Sequence, residues 1–150
     1  TELPRVLNFM RYRLHDEQLA EVFTAVTFEK AWRHRNQYSN KKAAFRTWLF
    51  TIARNVATDH LRKRQHDVEL KDSLRSRAPS PEEQISQQQD LAKLRQLLLN
   101  LPEREREIIA LKYGAELTNR QIGRQLNLSA MNVGVILYRT LRKLRGAQAK

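Results

Sequence analysis

Two groups of side chains could do chemistry on an anionic partner that carries rings. The first is Asn36-Gln37-Tyr38-Ser39-Asn40-Lys41-Lys42, a single aromatic ring set among amides and cations. A ring offers a stacking platform, amides reach base edges and lysines meet phosphates. Each stacked base is worth on the order of 1–3 kcal/mol. The mixture suits unstacked bases better than an intact duplex. Trp48 and Phe50 have the same stacking potential, but Phe45, Trp48 and Trp32 are first expected in a core. The second group lies near the end of the chain, where Arg139, Arg142, Lys143 and Arg145 can reach phosphates or base edges, and Asn132 and Tyr138 can reach bases. A plain helical hairpin with a solvated basic end would leave the same pattern.

Catalytic chemistry finds little to build on. The histidines are His15, His34, His60 and His66, none at i+3 or i+4 from another, so no metal-ligand spacing arises. No serine occupies a nucleophile elbow, and four glycines make no phosphate loop. Asp59 and Glu29 lack an evident carboxylate partner for acid–base work. We expect no enzyme activity, no metal and no cofactor.

The charge agrees with an anionic partner. Lys and Arg number 28 against 16 Asp and Glu, a formal net charge of +12 with a pI near 10.6. Such an excess points to nucleic acid or an anionic membrane surface. Residues 1–65 carry 13 basic and 6 acidic side chains, residues 66–90 carry 3 and 6, and residues 91–150 carry 12 and 4. Two basic blocks therefore flank an acidic middle. Nine of the eleven aromatic residues precede residue 65, so the blocks are expected to treat the same kind of partner differently. Without cysteine there is neither a disulfide nor a thiolate metal site. No apolar run approaches the roughly 20 residues of a membrane span, and no signal peptide is visible. A cytoplasmic protein without membrane insertion is the expectation. The chain opens at Thr1 inside a helical pattern, so a native N-terminal piece is expected to be missing.

The elements that must position these groups are all helical. Leu3, Val6, Leu7, Met10 and Leu14 recur at helical spacing. Asp16 can cap a second helix reaching about Arg35, with Leu19, Val22, Phe23, Val26 and Trp32 facing inward. A long helix from about Ala43 to Lys63 follows. Its inner stripe is Phe45, Trp48, Leu49, Ile52, Ala53, Val56, His60 and Leu61, and Phe50, Thr51, Arg54 and Asn55 fall elsewhere on its surface. Gln65 to Ser80 reads as a linker. Ser80 and Pro81 are expected to start a new helix, and Pro102 another, with Gly114 as C-cap. Thr118 and Gln121 fit a capping box. A short helix, the turn Asn127-Leu128-Ser129 and a longer basic helix complete a helix-turn-helix. The predicted fold class is all-α: two small helical domains at 1–65 and 81–150, joined by a flexible linker at 66–80.

The residues also carry a resemblance. Phe45-Arg46-Thr47-Trp48-Leu49-Phe50-Thr51-Ile52-Ala53-Arg54-Asn55, followed by Asp59-His60-Leu61-Arg62, closely resembles region 2 of bacterial sigma factors of the extracytoplasmic-function (ECF) group, in the sigma-70 superfamily. Ala20-Glu21, Thr27-Phe28 and Ala31-Trp32 resemble the preceding helix of that region. Leu101-Pro102-Glu103-Arg104-Glu105-Arg106 and the helix-turn-helix resemble region 4. The resemblance spans nearly the whole chain apart from the linker.

It implies a protein that binds core RNA polymerase at the β′ clamp helices and the β flap, recognises promoter DNA and promotes transcription initiation. By motif position, Tyr38 and Asn40 would form the pocket for a flipped minus-10 base, with Lys41, Phe50, Thr51, Arg54 and Asn55 also serving the minus-10 DNA. Arg120, Ser129, Asn132, Val135, Tyr138, Arg139, Arg142 and Lys143 would serve the minus-35 duplex. Glu21, Val22, Ala25, Val26 and Glu29 would face polymerase. An anti-sigma factor is a further expected partner, since exposed apolar faces on two tethered domains need cover when polymerase is absent.

The sequence departs from the family pattern at Val22, Ala25 and Val26, where acidic and amide residues are usual, and at Gly134, where a basic residue is frequent. Two other readings stay open. One is a helix-turn-helix regulator, or a divergent sigma relative, that does not open promoters. The other is an RNA-binding protein using the aromatic block.

Overall fold

The computed structural model describes residues 2–40, 44–72 and 86–148, and every regular element among them is helical. Helix α1 (Glu2–Leu14) buries Val6, Phe9, Met10, Arg13 and Leu14. Leu3 was expected on this stripe but is exposed, and Phe9 takes the inner position. The chain turns at His15, whose φ of 54° is left-handed. Asp16 then caps α2 (Glu17–Arg33) by accepting from the Leu19 amide at 3.0 Å.

The buried face of α2 consists of small residues, Ala20, Thr24, Thr27 and Ala31. The two threonine hydroxyls donate back to the carbonyls of Ala20 and Phe23 at 2.6 and 2.7 Å, so no donor is stranded. Leu19, Phe23 and Val26 only flank the core. Val22 and Trp32, expected inside, are 53% and 69% exposed. The reason is geometric. The small stripe seats α2 on its neighbours, and the large side chains lie to either side of it.

A short 3-10 turn (Arg35–Gln37) leads towards α3 (Phe45–Asp72). This helix is longer than its apolar pattern suggests. Gln65 to Asp72, expected as the start of a linker, form its last turns. The proposed caps Ser80 and Pro81 lie outside the described residues. Helix α4 is described from Ser86 to Leu99.

Helix α5 (Glu103–Ile109) runs into a π-helical turn (Ala110–Gly114), in which the Ala115 amide bonds back to the Ala110 carbonyl at 3.0 Å. Gly114 is not needed for a positive φ, contrary to its expected role as C-cap; the left-handed residue here is Glu116. Gly114 is needed for close approach. A Cβ there would sit 2.8 Å from the Asn8 carbonyl oxygen and 3.0 Å from the Phe9 Cα, both in α1.

Helix α6 (Asn119–Leu126) opens on the predicted capping box. Gln121 N–H donates to Thr118 Oγ1 at 3.1 Å, and its side chain accepts from the Thr118 N–H at 2.9 Å. The turn into α7 (Ala130–Gln148) uses Asn127 at φ 60° and a Leu128 N–H to Gly123 O bond of 2.8 Å. Gly123 is obligatory at that point, because a Cβ would lie 2.4 Å from the Leu128 oxygen. Ser129 caps α7 through the Asn132 amide at 3.1 Å.

The two halves pack on each other. One contiguous core runs from Val6, Phe9, Leu49 and Phe50 into Ile108, Leu111, Ile122 and Val133. Polar groups cross the same junction. Arg5 donates to the carbonyls of Ala115 and Glu116 at 2.8 and 3.1 Å. Gln125 Nε2 donates to the Thr47 carbonyl at 2.7 Å. Arg54 donates to the Gln125 carbonyl at 2.8 Å and to the Glu107 carboxylate at 2.9 Å.

Candidate nucleic-acid interface

The loop group assembles around rings. Tyr38 follows the 3-10 turn and is half-buried, with its ring centroid 5.6 Å from Phe45 and 5.2 Å from Trp48; the latter two are 5.9 Å apart. Phe45 is 44% exposed and Trp48 is only partly buried, so both belong with Tyr38 and not with the deep core. Their i, i+3 spacing at the start of α3 is the signal for this shared face, which size and apolarity alone mistake for core. Asn40 is exposed, and Lys41 lies outside the described residues. Trp32 lies beneath the Arg35 guanidinium, whose carbon is 4.0 Å from the ring centroid.

The four α3 residues expected beside this loop are not equivalent. Thr51 and Asn55 are exposed, with the Thr51 hydroxyl donating to the Thr47 carbonyl at 2.9 Å. Phe50 is fully buried, edge-on against Phe9 with centroids 5.7 Å apart. It cannot stack on a base in this arrangement. The expectation of an outward Phe50 assumed one buried stripe on α3, whereas α3 packs against α2 on one side and against α1 and α6 on another. Arg54 is likewise engaged, held by Glu107 and the Gln125 carbonyl.

The second group forms a continuous open face. Asn132, Val135, Tyr138, Arg139 and Arg142 are all exposed along α7, at steps that keep them on one side. Tyr138 is 65% exposed. Met131, overlooked from sequence because a methionine carries no charge signal, stands on the same face and is 81% exposed. Ser129 and Arg120 are exposed at its N-terminal end. Lys143 is also exposed, but its ammonium is held 2.8 Å from Glu105, which also accepts from Thr140 at 2.9 Å. Inward, Val133, Leu137 and Thr140 anchor the helix. The nearest atom to a Cβ built at Gly134 is Asn119 Nδ2 at 3.5 Å, so nothing there requires glycine.

On α2, Glu21, Val22, Ala25 and Glu29 are exposed and Val26 is half-buried. Together they form an open strip, apolar at its centre and acidic at its edges, with Glu29 paired to Arg33 one turn on.

Electrostatics mark the junction between the halves. Arg13 is buried and paired with Glu103, which also accepts from Arg106. Burial works against ionisation of Glu103, yet the two arginines outweigh it and hold the carboxyl below its usual range. His15 is pushed down to about 4, first by burial and then by Arg95, Arg106, Arg13 and Arg64. His60 is lowered chiefly by burial, with its ring centroid 4.6 Å from that of Phe23.

Comparison with known proteins places both units. Residues 1–66 match the model of Sigma-70 region 2, and residues 97–146 match that of Sigma-70 region 4. The ECF RNA polymerase sigma factor SigM of Bacillus subtilis (strain 168) is 29% identical over 145 residues, covering 93% of this chain and 86% of that protein. The RNA polymerase sigma factor NccH of Alcaligenes xylosoxydans xylosoxydans is 33% identical over 126 residues, covering 79% and 67% respectively. Among solved structures, the sigma factor RpoE from Bartonella quintana, in complex with the anti-sigma factor NepR, superposes with a TM-score of 0.70 at 21% identity over 96% of this chain and 89% of that one. Among the described residues, no helix is long and apolar enough to cross a membrane.

Proposed function

Because this chain belongs to the sigma-70 family and is an extracytoplasmic-function sigma factor, we propose that its two halves divide promoter recognition between them. The chain recognises promoters and initiates transcription with RNA polymerase. In our reading, the face of α7 from Met131 to Arg142 enters the minus-35 major groove. Its narrow helix suits that groove, and Asn132, Tyr138 and Arg139 reach base edges and phosphates. Tyr38, Phe45 and Trp48, with Asn40 and Lys41, receive unstacked minus-10 bases on their rings. Thr51 and Asn55 extend that surface. The strip of Glu21, Val22, Ala25, Val26 and Glu29 docks on the polymerase clamp, and region 4 meets the flap.

The observation that carries this division is the contrast between an aromatic cluster at the start of α3 and an open basic face on α7. Rings serve separated strands, whereas a basic helix serves paired ones. The protein supplies no catalytic group of its own and works in the cytoplasm, where polymerase and DNA are. An anti-sigma factor is a fitting partner, because the relative solved with NepR has the same overall fold.

Arg54 has a distinct place in this scheme. Its guanidinium contacts Glu107 and Gln125 in the packed arrangement, so it reaches DNA only after the halves separate. The test is run-off transcription with purified core polymerase on a promoter library. Wild type should start transcripts at a shared two-part element. Tyr38→Ala should bind promoter but fail to open it, and Arg139→Ala should lose upstream binding. Duplex binding without any initiation by wild type would instead favour a helix-turn-helix regulator.

A further inference from the structure

The junction between the two halves holds a cleft of about 680 Å³, apart from every surface assigned above to DNA or polymerase. Among the described residues, its walls carry Arg13, Arg62 and Arg64 from the first half and Arg95 and Arg106 from the second, against the single carboxylate of Glu103. That balance is unusual for a packed junction, where like charges facing each other across a gap oppose closure. Arg13 is 3% exposed and spends one nitrogen on Glu103, while its Nε is buried without a partner; the Nε of Arg106 is in the same condition. Arg95 bonds the His15 carbonyl and so reaches across the junction. His15 beside the cleft is held low first by burial and then by Arg95, Arg106, Arg13 and Arg64. Leu14, Leu61, Val68 and Leu99 give the cleft an apolar lining beside the cations.

We propose that this cleft binds a small phosphorylated ligand with a flat apolar body, of the nucleoside di- or triphosphate class, and that the ligand bridges the two halves. Its phosphates meet guanidinium groups from both sides, for which bidentate arginine contacts are well suited. Its ring lies on the leucine and valine side chains. The volume falls within the ordinary range of ligand pockets, roughly 300–1,000 Å³. A ligand that touches both halves binds the packed arrangement better than a separated one, and so shifts the population towards it. The proposal does not rest on promoter recognition, since it concerns the free chain and is read without polymerase or DNA.

The experiment is calorimetric titration of the full chain with ATP, pyrophosphate and adenosine, alongside NMR titration of His15. Variants are Arg64→Gln and Arg95→Gln, one from each wall, with Arg124→Gln on the exposed side of α6 as the control for unspecific attraction. Circular dichroism checks that all keep their helix content. ATP should bind more tightly than pyrophosphate and raise the His15 titration point, and adenosine should bind weakly. Each wall variant should weaken ATP by about tenfold or more, with Arg124→Gln unchanged. Equal weakening by Arg124→Gln would mean diffuse attraction to a basic protein and would overturn the site. Pyrophosphate binding as tightly as ATP would mean an adventitious ion only. Loss in only one wall variant would overturn the bridging role.

Discussion

Helices α3 and α7 each carry side chains suited to DNA, but they hold them in different states. Along α7, Met131, Asn132, Val135, Tyr138, Arg139 and Arg142 stand open to solvent, and buried Val133 and Leu137 fix the helix from behind. Along α3, Thr51 and Asn55 are open, Phe50 is sealed against Phe9, and Arg54 is tied to Glu107 and Gln125 of the other half. The face proposed to read duplex is open as it stands. The face proposed for separated strands is only partly so, because Phe50 is sealed by Phe9 of its own half and Arg54 is held by the second half. In the proposed reading, packing between the halves therefore withholds Arg54 from separated strands and leaves the α7 face untouched.

The strongest way to break this contrast is at Arg54. Arg54→Ala leaves the Glu107 carboxylate, 12% exposed at its side chain, without its cation. Removing one partner of such a pair costs about 3 kcal/mol or more. Chemical denaturation should show that loss, while α7 keeps its affinity for duplex DNA. Gly114→Ala attacks the junction from the backbone side. The new Cβ meets main-chain atoms of α1 at 2.8 and 3.0 Å, so α1 and the π turn must move apart at a cost of about 1–3 kcal/mol. Scattering should record a wider separation of the halves.

The junction should also respond to pH. His15 titrates near 4 in the folded chain against 6.5 when unperturbed, so the unfolded chain binds the proton first. Its contribution to stability is fully present above about 6.5 and falls away as pH drops towards about 4. The lowered His60 acts in the same direction from the same upper limit. His15→Asn keeps a residue tolerant of the left-handed backbone and should flatten that dependence in thermal melts. On the open helix the effect has the opposite sign. Gly134→Ala meets nothing closer than 3.5 Å, so it should stabilise α7 by about 1 kcal/mol, seen as a raised melting temperature.

Much of the second half was legible because its signals are local. Thr118 and Gln121 announce the capping box, and Asn127, Leu128 and Ser129 the turn. The first half was harder for reasons that are not local. Phe50 looks outward when α3 is given one buried stripe, and only contact with a second helix layer explains its burial. Val22 and Trp32 look inward by size, yet α2 is seated by alanine and threonine. The extension of α3 to Asp72 carries little apolar signal, with Val68 and Leu70 its only aliphatic residues, so spacing alone does not announce it. Neither the pairing of Arg54 with Glu107 nor the reason for Gly114 could be read from spacing, because their partners lie far along the chain.

On this scheme Arg54 and its surroundings become available only when the halves part. The direct measurement is a pulsed electron resonance distance between spin labels at Thr51→Cys on α3 and Arg124→Cys on α6, in the free chain and bound to core polymerase. A short distance is expected in the free protein and a clearly longer one in a transcribing complex. An unchanged short distance in a complex that initiates normally would contradict it.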